Sequence, residues 1–165
     1  MHMHEIESKP SSLIDPTSQL YCLNANLRKA SRAILSMYMD DMRGSDLQGT
    51  QFTLLSTISG FGKAKIGDLA SFMTMDQTTV TRNINVLKKG GYVAVVPGED
   101  KRTRVVQLTA KGESAVHETY PMWLEAQTKL WEQLGEEKAA AFLQIAQEIV
   151  EISEKRETKL VGLLV

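Results

Sequence analysis

Apolar residues recur at three- and four-residue spacing through most of this chain, and the rhythm breaks at a few glycines. Leu20, Leu23, Leu27, Ala30, Ile34, Met37 and Tyr38 form a first stripe. It predicts an amphipathic helix of about seven turns over 17–43, capped by Thr17 or Ser18 and ended at Gly44. Residues 1–16 show no such period and contain two prolines and three serines, so they read as a flexible arm. After a polar loop to Gly49, Thr50 is the expected cap of a short helix with Phe52, Leu55 and Ile58 inward, broken by Gly60-Phe61-Gly62. Ile66, Leu69, Ala70 and Met73 predict a helix of about two turns. Thr74-Met75-Asp76 supplies a turn and a cap, and the next helix buries Val80, Ile84 and Leu87 before stopping at Gly90-Gly91.

The period then changes from helical to extended. Tyr92 to Val96 and Thr103 to Leu108 are rich in β-branched residues and flank a turn at 97–102, which predicts a hairpin. Thr109 caps a long helix to Leu134 that carries Val116, Tyr120, Trp123, Leu130 and Trp131, and that Pro121 should bend. Gly135 separates it from a last helix with Phe142, Leu143, Ile145, Ile149 and Ile152, and the chain closes on an apolar tail, Leu160 to Val165. The expected architecture is mainly α with a small β-hairpin wing. A winged helix-turn-helix domain at 50–108 stands between a first dimerisation helix at 17–43 and C-terminal dimerisation helices at 109–165.

Within that frame, residues 66–91 are the informative part. Two short helices join through a tight turn, and the second carries Gln77, Thr78, Thr81, Arg82 and Asn85 off its apolar stripe. Small hydroxyls let a helix backbone approach a groove, and an arginine reaches a base edge or a phosphate. An ordinary amphipathic helix pair would show the same spacing. The hairpin that follows, with Lys101 and Arg102 at its tip, favours the recognition reading, because a cationic wing tip fits a phosphate strand or a narrow minor groove. Asp100, two residues before Arg102, is placed to hold that guanidinium.

Charge supports this only through its distribution. The formal net charge is −1, yet residues 76–108 carry six Lys/Arg against three Asp/Glu, while 109–165 carry six against ten. At 165 residues the chain can bury roughly two-thirds of its unfolded surface, so its core needs neither disulfide nor structural metal. No apolar run approaches the ~20 residues that cross a bilayer, and no secretory signal is visible. The single cysteine, Cys22, makes a cytoplasmic setting the simplest reading. Catalysis finds little footing: there is no Cys/His cluster, phosphate loop or nucleophile motif, and His117 beside Glu113 and Glu118 reads as a surface pair. His2 and His4 lie in the arm without fixed geometry, and no metal or cofactor is expected. Two other classes stay open: an enzyme of unknown type, and a winged-helix module for protein contacts, against which Arg82 and Arg102 speak.

The stretch from Asp76 to Val93, DQTTVTRNINVLKKGGYV, resembles the recognition helix and first wing strand of MarR regulators. Asp100-Lys101-Arg102, then Leu108-Thr109 and Gly112, resembles that family's wing signature D-x-R…L-T-x-x-G at its usual spacing. The resemblance runs from about Leu20 to about Ser153. It implies a homodimer that recognises pseudo-palindromic double-stranded DNA, a repressor by family habit. Gln77, Thr78, Thr79, Thr81 and Arg82 would then face the major groove or its phosphates. Arg102 would be the minor-groove residue of the wing tip, with Asp100 as its partner. Thr79 has two further readings, turned inward or bonded to its own helix backbone.

The resemblance also implies an effector. A small aromatic ligand would sit in a cleft bordered by Cys22, Asn26 and Phe52. Alternatively Cys22 would act as a redox sensor, although Gln19-Leu20-Tyr21-Cys22 places the thiol one residue later than the hydroperoxide-sensing pattern, an offset of about 100° on a helix. A third reading makes Cys22 a buried structural thiol.

Overall fold

The structure, a computed structural model, describes residues 18–98, 100 and 103–162. The N-terminal arm with His2, His4 and Thr17, the wing-tip residues Lys101 and Arg102, and the last three residues of the apolar tail lie outside the described residues. The chain divides into two compact units, Met1–Met37 and Tyr38–Val165.

The first unit holds a 3-10 turn, Gln19–Tyr21, and most of helix α1, Leu23–Asp41. Ser18 does cap, but it caps the turn: its Oγ accepts from the Leu20 N–H at 3.3 Å. The turn ends before the helix begins, so α1 has 19 residues and about five turns rather than seven.

The second unit contains α2 (Gly49–Phe61), β1 (Lys63–Lys65), α3 (Ile66–Phe72), α4 (Gln77–Lys89), β2 (Val93–Pro97), β3 (Arg104–Leu108), α5 (Ala110–Leu134) and α6 (Glu136–Gly162). The cap of α2 is Gln48 and not Thr50: the Gln51 side chain reaches back to accept from the Gln48 N–H at 3.0 Å. Phe52, Leu55 and Ile58 are buried as their spacing predicts, and Leu54 joins them.

The hairpin gains a third strand. Lys63–Lys65 pairs antiparallel with β3, so the sheet order is β1-β3-β2. Ala64 faces Val106 across that pairing, and both are buried. Three residues with one small inward side chain carry too little alternation to be read as a strand. β2 starts at Val93, because Tyr92 belongs to the turn: its N–H returns to the Leu87 carbonyl at 3.0 Å.

The core sits where α2, α3, α4 and the sheet meet. Leu55, Ile58, Leu69, Val80 and Val106 have essentially no exposed surface. Val116, Met122 and Trp123 of α5 pack against this cluster. α5 continues through Pro121 and stops at Gly135, whose φ of 80° suits a residue without a Cβ. α6 presents Leu143, Ile145 and Ile152 more than half exposed.

Candidate nucleic-acid interface

The turn between α3 and α4 sets how α4 is presented. Thr74 takes a left-handed φ of 51°, unusual for a β-branched residue, and the Met75 N–H bonds back to the Ala70 carbonyl at 2.9 Å. Asp76 follows as the cap of α4. Its carboxylate accepts from the Thr79 N–H at 2.7 Å and from the Thr79 hydroxyl at 2.5 Å. The Thr79 hydroxyl, then its amide, holds the Asp76 carboxyl below the usual carboxylate range, because both bonds favour the ionised form.

Helix α4 buries Val80, Ile84 and Leu87 and turns Gln77, Thr78, Arg82 and Asn85 to solvent. Thr81 is half-buried, and its hydroxyl donates to the Gln77 carbonyl at 2.7 Å. Its methyl and oxygen lone pairs remain for an external contact. Thr79 is half-buried and its hydroxyl is engaged by the cap. Lys88, Lys89 and Arg104 extend the exposed cationic surface. Lys88 and Lys89 lie within the Asp76 to Val93 stretch and Arg104 follows the D-x-R positions, so all three belong to the cationic segment 76–108.

The wing hairpin closes through Gly98 N–H to the Thr103 carbonyl at 2.7 Å and Thr103 N–H to the Asp100 carbonyl at 2.8 Å. Asp100 is exposed. Arg102, and with it the expected Asp100–Arg102 pairing, lies outside the described residues.

The L-T-x-x-G signature has a local physical cause. Thr109 caps α5, its Oγ accepting from the Gly112 N–H at 3.1 Å, and the same hydroxyl donates to the Gly91 carbonyl at 2.7 Å. A Cβ on Gly112 would lie 2.1 Å from the Tyr92 carbonyl oxygen, so only glycine fits.

The remaining candidates separate by unit. In the first, Cys22 is exposed on the single chain. Asn26 spends its side-chain amide on the carbonyls of Leu20 at 2.9 Å and Cys22 at 3.0 Å, stitching the 3-10 turn to α1. In the second, Phe52 borders a cavity of about 520 Å³ with Ser56, Thr57, Phe61, Phe72 and Trp123. Phe52 and Trp123 stack tilted at 5.9 Å, and Phe61 meets Phe72 edge-on at 5.3 Å. The Ser56 hydroxyl in this wall is buried and has no hydrogen-bond partner among the described residues. Among the described residues no group of three or more His, Cys, Asp and Glu could hold a metal ion, and no helix is long and apolar enough to cross a membrane.

Comparison with known proteins places this geometry. The MarR family model matches residues 45–103. The HTH-type transcriptional regulator YwoH of Bacillus subtilis is 26% identical over 116 residues, covering 70% of this chain and 85% of the relative. The M. tuberculosis transcriptional regulator MosR, solved in complex with DNA, superposes with a TM-score of 0.72 at 29% identity, over 81% of this chain and 97% of MosR. A mutant MarR from E. coli, solved with operator DNA, gives 0.72 at 18% identity over 82% and 99% of the two chains, a likeness of fold. These relatives are regulators and not enzymes. The family model thus falls on the winged region, where both motifs stand in order, and the chain shares the fold of winged helix-turn-helix MarR regulators over about four-fifths of its length.

Proposed function

We propose that this protein is an effector-responsive repressor that binds pseudo-palindromic duplex DNA as a homodimer in the cytoplasm. The observation that carries the reading is α4, held on one side by Val80, Ile84 and Leu87 in the core and offering Gln77, Thr78, Thr81 and Arg82 on the other. Gln77 and Thr78 stand in the first turn, where recognition helices meet base edges. Arg82, one turn further on, reaches a guanine or a phosphate. Asp100 and Arg102 of the wing extend the contact to the adjacent minor groove. Thr79 contributes through the cap, where Asp76 engages both its N–H and its hydroxyl.

Two-fold symmetry is supported by the large apolar side chains that α6 leaves exposed, Leu143 at 52% and Ile145 at 56% among them. A dimer would place two α4 helices on half-sites about one helical turn, roughly 34–36 Å, apart. The effector reading rests on the aromatic-walled cavity beside Phe52, whose size and lining suit a small aromatic molecule. A hundredfold loss of DNA affinity requires about 2.7 kcal/mol of differential binding between the two states. Oxidation of the exposed Cys22 is the second route, since a thiol must be accessible to react.

Selection of duplexes from a random library, followed by titration with small phenolic acids and with peroxide, tests all parts. The expected result is an inverted-repeat site whose binding is weakened by one of the two effectors. Arg82→Ala should then lose about 1–3 kcal/mol of specific affinity. Failure of the wild type to enrich any duplex would refute the proposal.

A further inference from the structure

The joint that follows α4 is built from residues with no side chains of their own. Gly90 and Gly91 connect the helix to Tyr92, and Gly91 sits at a φ of 77°. What fixes this joint comes from the first turn of α5. The Lys111 ammonium donates to the Gly90 carbonyl at 2.8 Å and lies 4.5 Å from the centroid of the Tyr92 ring. That ring is pressed against Gly90 so closely that a Cβ there would meet its Cδ2 and Cε2 at 2.8 Å. Thr109 adds its bonds to the Gly91 carbonyl at 2.7 Å and, through its N–H, to the Tyr92 carbonyl at 3.0 Å.

We infer that Lys111 is a positioning residue for DNA recognition: it locks the C-terminal end of α4 to α5 and sets the angle at which α4 is presented, without itself touching DNA. The inference rests on the DNA-binding reading above. The carbonyls at the end of a helix lack intrahelical partners and carry the negative end of its dipole, so a cation held there is stabilising. An ammonium over an aromatic ring adds a second, independent restraint. The lever is long. The 13 residues of α4 span about 20 Å. A tilt of about 5° pivoting at Gly90 therefore moves Gln77 by about 1.7 Å, well beyond the ~0.5 Å range over which a hydrogen bond keeps good geometry. Contacts to bases are lost by such a tilt, whereas contacts to phosphates, which tolerate displacement, are kept.

Lys111→Met keeps the aliphatic stem and removes the charge, and Lys111→Arg keeps a cation over the ring. Both full-length variants are compared with wild type on a duplex that the wild type recovers from a random library and on a scrambled duplex of equal length. Each titration is repeated across a salt series. Lys111→Met should bind the recovered duplex roughly three- to tenfold more weakly, with scrambled-duplex affinity and salt slope unchanged, and Lys111→Arg should restore binding to within about twofold. Equal loss on both duplexes, with a salt slope lower by about one, would make Lys111 a phosphate contact and overturn the inference. Unchanged discrimination in Lys111→Met would overturn it as well. If the wild type recovers no duplex, the DNA-binding reading fails. Amide exchange in the free protein then decides for the joint: faster exchange at Gly91 and Tyr92 in Lys111→Met supports the lock, and equal exchange refutes it.

Discussion

Residues 42–108 and residues 110–162 are both rich in large apolar side chains, and they use them in opposite ways. In the first region Leu54, Leu55, Ile58, Leu69, Val80, Ile84, Leu87 and Val106 are all almost fully withdrawn from water. In the second, the buried positions of α5 are Gly112, Thr119 and Ala126, and α6 adds Ala139, while Phe142, Ile145, Ile149 and Ile152 stand exposed. Three helices and a sheet can surround a core on every side. Two long helices cannot: α5 spends Val116, Met122 and Trp123 on the winged core, and much of the stripe of α6 is left over. The leftover stripe of α6 has the three- and four-residue spacing of a helix seam. A region that closes its own core determines how a surface is shaped, and a region that leaves its stripe open determines what the chain assembles with.

The contrast breaks most visibly under truncation of a core side chain. Leu55→Ala should lose about 2–5 kcal/mol in urea unfolding, through lost burial and the cavity left behind. Ile145→Asp should leave the unfolding of the winged region near wild type and move the sedimentation coefficient toward the monomer. If Ile145→Asp unfolds the winged region as readily as Leu55→Ala does, the two regions share one core and the distinction is wrong.

The seam between the regions comes next. Gly112→Ala places a methyl into the Tyr92 carbonyl. Backbone has to give way, so a loss of about 1–3 kcal/mol is expected, visible as a lowered melting temperature. A neutral result would mean that α5 slides freely against the turn, which would also unsettle the argument for Lys111.

The smallest effect concerns the entrance to α4. Asp76→Ala removes the cap and should lower the melting temperature by a few degrees at neutral pH. The Asp76 pKa is lowered in the folded state, so the cap's contribution is present above the ordinary aspartate pKa and is lost as pH falls through the lowered one. The gap between wild type and Asp76→Ala should therefore close in acid. A gap that persists at low pH would assign the stabilisation to something other than the ionised carboxylate.

What the sequence disclosed follows from how many residues carried each signal. Helix α4 was legible because Val80, Ile84 and Leu87 repeat at helical spacing between an Asp cap and a glycine stop. Thr109 was legible as a cap for the same reason. Strand β1 was not, since its evidence reduces to Ala64 between two lysines and its partner lies far along the chain. Gln48 was missed because glutamine caps through a reciprocal bond with Gln51 instead of through the short side chain that marks most caps. Cys22 was ambiguous because it stands at the junction between the 3-10 turn and α1, where helical phase does not yet apply. The role of Lys111 left no trace at all: a lysine near a helix start is ordinary, and only the fold brings Gly90 and Tyr92 to it.

The strand order β1-β3-β2 has a kinetic consequence. Lys65 pairs with Val105, so β1 must wait for a loop of about forty residues to close before it gains a hydrogen bond. Closing such a loop is a slow, entropically opposed event compared with winding α3 and α4. During synthesis, β1 is polymerised about forty residues ahead of β3, so its pairing waits until β3 has been made and released. A nascent chain arrested before β3 would lack the central strand that joins β1 to β2, and the short helices α3 and α4 would lack the sheet they pack on.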